Sequence, residues 1–338
     1  MATTQPTVDH FRLGLLFAVA SAFMFGSSGP FAKSLMEAGW SPTAAVTARL
    51  AGGAILMAVF ATIVKPDWIR EALRHSKTVV AYGLIPIAGA QLCYFNAVAH
   101  LSVAVALLLE YTAPILVVGW VWATTRRRPS GLTLLGVALA IAGIMLVLNV
   151  FAGAHINVVG IVWALAAAVC AACYFVMSSS VSVSATDGDG LSAVTLATAG
   201  LIVGATAVAT LGATGLMPLT FTTNDAVVVG WTTSWLVPVI ALALIPTAIA
   251  YTLGIMGVAR LQPRFASLVG LSEVMFAVLA AWVLLGEAIT PTQAIGGVVV
   301  LVGLALARQG DRTEKLAELT WAEGPPEGVA YDQSVGRS

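Results

Sequence analysis

The sequence predicts an all-α membrane protein, ten transmembrane helices arranged as two inverted five-helix repeats, and three observations predict it. Hydrophobic residues fill 59% of the 338 positions and charged residues only 9%, with a mean hydropathy of +0.94; a soluble domain carries about a quarter charged residues. The apolar residues come in long runs parted by short polar breaks. The later runs also repeat the pattern of the earlier ones.

A helix needs about 20 apolar residues to cross the hydrocarbon, where lipid offers the backbone no hydrogen-bond partners. After a polar cytoplasmic N-terminus at residues 1–12, ten segments meet that demand. They run from Leu13 to Lys33, Pro42 to Val64, Val79 to His100, Val103 to Thr125 and Gly131 to Val150, then Val158 to Val181, Leu191 to Thr214, Trp235 to Ala259, Phe265 to Leu285 and Thr290 to Ala307. Residues 13–150 form the first repeat and 158–308 the second. Residues 309–338, polar and carrying Glu314, Glu318, Glu323 and Glu327 around Pro325 and Pro326, read as a disordered cytoplasmic tail.

Lysine and arginine gather in short cytoplasmic loops. With the N-terminus inside, that side holds Arg12, Lys65, Arg70, Arg74, Lys77, Arg126, Arg127, Arg128, Arg260, Arg264 and every basic residue after Ala307, while the outside keeps Lys33 alone. Adding or losing one span would reverse each later loop, so the split also supports the helix count. The loop from Ser182 to Gly190 is the weak point, since it is acidic at Asp187 and Asp189. Zero formal net charge favours neither nucleic acid nor an acidic partner.

The repeat is read without gaps. Leu84-Ile85-Pro86 returns as Leu244-Ile245-Pro246, Val98-Ala99 and Leu101 as Val258-Ala259 and Leu261, and the register continues through Ala106 and Ala266, Trp122 and Trp282, Gly136 and Gly296, Gly143 and Gly303. A fainter match pairs GLLFAVASA, Gly14 to Ala22, with GIVWALAAA, Gly160 to Ala168. Five spans followed by five similar spans must enter the membrane in opposite senses. Such an inverted repeat has a pseudo-two-fold axis in the membrane plane and two states open to opposite sides.

ASLVGLSEVMFAVLAAWVLLGEAITPTQAIGGVVVLVG, from Ala266 to Gly303, resembles the last two helices of the EamA family in the drug/metabolite transporter superfamily, including the Leu-Leu-Gly-Glu that ends at Glu287. LSVAVALLLEYTAP, Leu101 to Pro114, is similar to the fourth helix of that family's amino-acid exporter branch, which includes threonine and homoserine exporters. The likeness runs to about Gln309. It implies two five-helix repeats and a plasma-membrane carrier, usually an exporter, often driven by proton exchange. One departure is that no acidic residue occurs in the first span, where the small multidrug carriers hold a glutamate.

A charge at mid-membrane costs at least ~2.5 kcal/mol, so an intramembrane ionisable group is a functional candidate. Arg49, Glu110 and Glu273 are the three that stand well inside spans. Glu110, a turn before Pro114, fits a proton carrier or a partner for a substrate ammonium; the alternative is a structural salt bridge with Arg49. Arg49 suits a substrate carboxylate, or it snorkels to the interface. Glu273 either lines the cavity or pairs with Gln293 or Tyr251. Gln91, Asn96, Tyr111 and Tyr251 add hydrogen-bonding groups for a polar substrate, Tyr251 falling at the repeat position of Gln91. Tyr94 reads as an interface anchor.

Ser27 and Ser28, within Gly26-Ser27-Ser28-Gly29-Pro30, interrupt span one, as a gating or binding element or as a close helix contact. Pro30, Pro86, Pro114 and Pro246 are the expected hinges or kinks. Cys93, Cys170 and Cys173 read as packing residues with no metal role, and Trp40, Trp68, Trp231 and Trp235 as an interfacial belt. Enzyme chemistry, an intramembrane transferase or protease, would need a nucleophile beside a base, or paired acids or metal ligands within the spans, yet His10, His75, His100 and His155 all fall at loops or ends. The expectation is therefore an inner-membrane secondary transporter exporting a small polar metabolite such as an amino acid. It would be proton-coupled, without a cofactor, monomeric or homodimeric, with both termini cytoplasmic. An uptake carrier or drug pump of the same fold, and a non-transporting sensor or scaffold, are the alternatives.

Overall fold

The computed structural model describes residues 7–101, 103–126, 128–147, 157–179, 181, 190–228, 230–285 and 290–322. The loop from Ser182 to Asp189, Glu287 and the tail beyond Ala322 lie outside them. The chain is predominantly helical. Among the described residues, five helices are long and apolar enough to cross a membrane: Pro42–Val64, Ser76–Ala97, Val158–Ser178, Ala193–Ala213 and Leu236–Leu261. His10–Gly26, Ala113–Thr125, Gly131–Leu146 and Ala294–Ala307 are shorter apolar helices.

In chain order the helices are α1 (Thr7–Gly26), α2 (Ser28–Glu37), α3 (Pro42–Val64), α4 (Trp68–Arg74) and α5 (Ser76–Tyr82). A π-helical segment, π1 (Gly83–Gly89), leads without a break into α6 (Ala90–His100), followed by α7 (Val103–Glu110), α8 (Ala113–Thr125), α9 (Gly131–Val147), α10 (Val158–Ser178) and α11 (Ala193–Ala213). A small antiparallel hairpin, β1 (Ala226–Val228) and β2 (Trp231–Thr233), pairs Ala226 with Thr233 and Val228 with Trp231. Then come α12 (Leu236–Ala243), a second π segment, π2 (Leu244–Ile249), α13 (Ala250–Leu261), α14 (Pro263–Gly270), α15 (Ser272–Leu285) and α16 (Pro291–Ala322). The helix therefore continues past Gln309 to Ala322, where composition predicts disorder; DRTEKLAELTWA is rich in helix formers.

Three apolar runs that read as single spans are split, and each split has the same local chemistry. At Ser27, Thr112 and Ser272 a hydroxyl donates to the carbonyl three residues back, Met24 O at 2.6 Å, Leu109 O at 2.6 Å and Val269 O at 2.7 Å. Such side-chain bonds compete with the helix ladder. Pro114 adds to the second break, because it has no amide hydrogen for the Glu110 carbonyl four residues earlier. Proline also explains the π segments: Pro86 sits in π1 and Pro246 in π2, and the widened turn re-satisfies the carbonyls each one frees.

Lipid and protein faces are read directly from α10. Val158, Val162, Leu165 and Val169 are exposed along one side, while Gly160, Ala164, Ala167, Ala168 and Ala172 are buried on the other. Large apolar groups face outward and small ones inward, because in lipid it is close packing that holds helices together. The broadest helix pairing, α9 with α16, follows the same rule. A Cβ on Gly136 would lie 2.5 Å from the Gly303 carbonyl oxygen, and one on Gly143 would lie 2.8 Å from the Gly296 carbonyl oxygen. The contacts run antiparallel, and no side chain fits between the backbones.

Other pairings cross between the repeats: α1 packs on α13, α10 on α6, α3 on π2, and α11 on π1. Trp40 and Trp68 are buried instead of forming a belt, since each indole N–H finds an internal acceptor, Thr222 O at 2.9 Å and Thr62 Oγ1 at 3.2 Å. Trp231 alone of the four is strongly exposed, at 76%.

Candidate functional site

A cavity of about 140 Å³ lies between π1, the α7–α8 break and the α14–α15 break. α1 contributes Ser21 and Phe25, π1 and α6 contribute Pro86 and Gln91, and the α7–α8 break contributes Glu110, Tyr111 and Pro114. The opposite wall holds Tyr174 and Phe175 of α10, Tyr251 and Gly254 of α13, and Ser267, Gly270 and Glu273 around the α14–α15 break. Both intramembrane carboxylates thus face one space. They arrive from opposite helix ends: Glu110 closes α7, and Glu273 lies in the first turn of α15, whose N-terminal dipole end favours an anion. The Tyr111 hydroxyl interacts with the Glu273 carboxylate.

Arg49 is only 3% exposed and does not line the cavity. Its Nε donates to Thr247 Oγ1 at 2.9 Å, one terminal nitrogen to Gln91 Oε1 at 2.9 Å, and the other to the Pro246 carbonyl at 3.0 Å. The fork is therefore spent on neutral oxygens of π2 and α6, and these bonds, not a bridge to Glu110 or snorkelling, hold the charge. Gln91 passes the arrangement on, its Nε2 donating to the Tyr251 hydroxyl at 3.4 Å. Arg49, Gln91 and Tyr251 form one chain from α3 through α6 to α13.

Of the residues singled out in the sequence, Glu110, Glu273, Gln91, Tyr111, Tyr251, Pro86 and Pro114 are brought together at the cavity. Arg49 and Pro246 stand directly behind them. Asn96 does not join them: its amide donates to Leu92 O of its own helix at 2.7 Å. Ser27 and Ser28 sit at the α1–α2 break outside the lining, and Pro30 falls in the first turn of α2. Gly26 explains why that corner is close-packed, since a Cβ there would lie 2.9 Å from the backbone of Glu273 and of Ala277. Gln293 lies on α16 with a side chain outside the described residues.

Four aromatic rings went unnoticed in the sequence. Phe25 meets Tyr251 edge to face at 5.0 Å, Tyr251 meets Tyr174 at 6.0 Å, and Tyr174 meets Phe175 at 5.1 Å; Tyr82 backs Tyr174 at 6.2 Å and bonds Ser178 Oγ at 2.8 Å. The Tyr174 hydroxyl is buried without a hydrogen-bond partner among the described residues. It fits only because position 254 is glycine, where a Cβ would lie 2.0 Å from that oxygen. A signal existed, since Tyr174 is the single tyrosine in α10, among mostly small and aliphatic residues.

Comparison with known proteins places this architecture. Residues 12–149 and 158–309 match the EamA-like transporter family. The uncharacterized transporter YwfM of Bacillus subtilis is 26% identical over 312 residues, 90% of this chain and 96% of that protein. The threonine/homoserine exporter RhtA of Escherichia coli K12 is 26% identical over 309 residues, 90% of this chain and 94% of that protein. An uncharacterized transporter of Archaeoglobus fulgidus is 27% identical over 274 residues, 78% of this chain and 91% of that protein. One solved crystal structure superposes with a TM-score of 0.65 at 18% identity, covering 89% of this chain and 99% of its own, and so shares the fold.

Proposed function

Since the chain belongs to the EamA-like transporter family, we propose that it is a secondary active transporter exporting a small polar metabolite by alternating access around the Glu110–Glu273 cavity. The observation that carries this reading is that two intramembrane carboxylates share one cavity walled by segments of both sequence repeats. Size argues for a small solute, because a drug-sized ligand takes a pocket of about 300–1,000 Å³ and this one measures about 140 Å³. The name of the exporter RhtA makes amino acids the first solutes to test.

The working architecture is ten spans in two inverted halves, 13–150 and 158–308, in the inner membrane with both termini cytoplasmic. Support comes from the α9–α16 seam. Gly136 and Gly143 are repeat mates of Gly296 and Gly303, and the contacts Gly136–Gly303 and Gly143–Gly296 exchange into one another under a two-fold rotation. Rocking the halves about that seam would open the cavity to either side in turn.

Glu110 is the coupling residue in this scheme, binding a proton on one side and releasing it on the other. In proteoliposomes with an imposed pH gradient, Glu110→Gln is expected to abolish gradient-driven flux while the protein inserts and folds normally. Unchanged coupling in that variant overturns the role.

A further inference from the structure

The chemistry of the cavity wall goes further than its size, and we propose that the site selects its substrate by an ammonium group, which exchanges one for one with a proton. This rests on the transporter reading above. Every charged side chain lining the cavity among the described residues is acidic, Glu110 and Glu273. The one cation near enough to matter, Arg49, lies outside the lining, its Nε and both terminal nitrogens bonded to Thr247, Gln91 and the Pro246 carbonyl. Each of its three nitrogens is already engaged and the side chain does not line the cavity, so it is not placed to hold a substrate carboxylate in the forked manner that makes arginine suited to one.

The remaining wall is aromatic. Phe25, Tyr111, Tyr174, Phe175 and Tyr251 surround the two carboxylates, and aromatic faces attract alkylammonium groups while giving a carboxylate nothing. The Tyr174 hydroxyl, without a hydrogen-bond partner among the described residues, adds a polar group beside this wall.

Charge counting supplies the stoichiometry. Two ionised carboxylates against one guanidinium leave a single negative charge in a low-dielectric interior, which is costly when unpaired. The other ionisable groups facing them are Cys93, Cys170, Tyr94, Tyr111, Tyr174 and Tyr251, all neutral near pH 7 by their ordinary values. One proton or one monovalent ammonium satisfies the site, and both together overfill it. Competition for that one charge couples amine movement to proton movement without any further device.

The test uses purified full-length protein in weakly buffered detergent at pH 7. It is titrated with straight-chain primary amines of two to five carbons, the carboxylic acids of matched length, L-threonine and N-acetyl-L-threonine. Thermal shift reports binding and a pH electrode reports protons. The expected result is that at least one amine stabilises the protein and releases about one proton per chain, whereas the acids and N-acetyl-L-threonine do neither. Glu273→Gln should weaken amine binding at least tenfold and remove the proton release. Phe25→Leu, a milder change that keeps both carboxylates, should weaken amine binding several-fold. Silence from every amine, binding of an acid that no amine displaces, or amine binding unaffected in both variants overturns the proposal. The two readings fail separately: proton-coupled flux of a solute with no ammonium leaves the carrier standing and sinks this inference. Amine binding with proton release but no flux in proteoliposomes keeps the site and sinks the carrier.

Discussion

Helices α3 and α11 are built to one plan and finished differently. Each begins at a capping serine, Ser41 accepting from the Ala44 amide and Ser192 from the Thr195 amide. Each donates the backbone N–H of that serine to the segment that follows the other helix, Ser41 to the Thr220 carbonyl at 3.0 Å and Ser192 to the Glu71 carboxylate. Each then packs small residues against a π segment: Gly53 of α3 on π2, with Gly52 against Ala243 at the end of α12, and Gly200 and Gly204 of α11 on π1. The finish differs at two points. α3 carries Arg49, which bonds π2 and reaches Gln91, whereas the π1 contact of α11 is sealed by the side chains of Ile87 and Tyr82. Within the π segments Thr247, whose hydroxyl also bonds the Leu242 carbonyl four residues before Pro246, stands where the other repeat has Ile87. Backbone shape is thus duplicated while its chemistry is not, so one seam is locked by hydrogen bonds and the other by shape.

The largest effect should come from closing the tighter contact. A Cβ on Gly53 would lie 2.5 Å from Thr247 Cγ2, so Gly53→Val forces Thr247 off its bond with Arg49. Overpacking of this kind is expected to cost about 3 kcal/mol, read as a lowered thermal midpoint in detergent; a midpoint equal to wild type would show that the π2 seam is soft. Arg49→Met comes next. It leaves the Gln91 and Pro246 oxygens short of a donor, at about 1–3 kcal/mol each, partly offset by removing a buried charge. A net loss of about 2 kcal/mol is expected, with flux lost because Gln91 no longer holds Tyr251. Arg49→Lys should not restore flux, as one ammonium cannot serve three acceptors in a fork.

On the other seam the same kind of change should be mild. The atoms nearest a Cβ at Gly200 are the Ile87 tip and the Tyr82 ring, each at 3.0 Å. Gly200→Ala also gains up to about 1 kcal/mol of helix propensity, so stability should stay within about 1 kcal/mol of wild type. A loss as large as that of Gly53→Val would erase the distinction between the seams.

The smallest effect concerns the serine clasps. Burial pushes the Glu71 carboxyl up, but hydrogen bonds from Lys65, the Ser192 amide and the Ser192 hydroxyl outweigh it and leave Glu71 below the usual carboxylate range. A carboxylate lowered on folding stabilises above its unfolded value and loses that contribution as pH falls through about 4.5 and then its folded value. Wild type should therefore lose thermal stability more steeply than Glu71→Gln as pH falls below about 4.5. Equal slopes would mean that this clasp is no more acid-sensitive than the neutral one at Thr220.

Glu110, Glu273, Gln91 and Tyr251 were legible because a polar group in an apolar run is conspicuous, and the repeat register pairs Gln91 with Tyr251. Arg49 was legible as a residue but not in its use, since a sequence does not say which way a guanidinium turns. Asn96 looked equivalent to Gln91 yet spends its amide on its own helix. The aromatic wall was hidden because phenylalanine and tyrosine are unremarkable in a membrane helix until their neighbours are known.

By itself the sequence determined the solvent, the positions of the apolar runs and the repeat. Hydrophobicity and backbone hydrogen bonding in lipid are one-dimensional constraints, readable along the chain. Only the tertiary structure decided which groups share the cavity, that the one intramembrane arginine faces π2, and that Gly254 admits the Tyr174 hydroxyl. Those outcomes depend on helix rotation and on ångström-scale packing between segments far apart in the chain, and no local pattern encodes them.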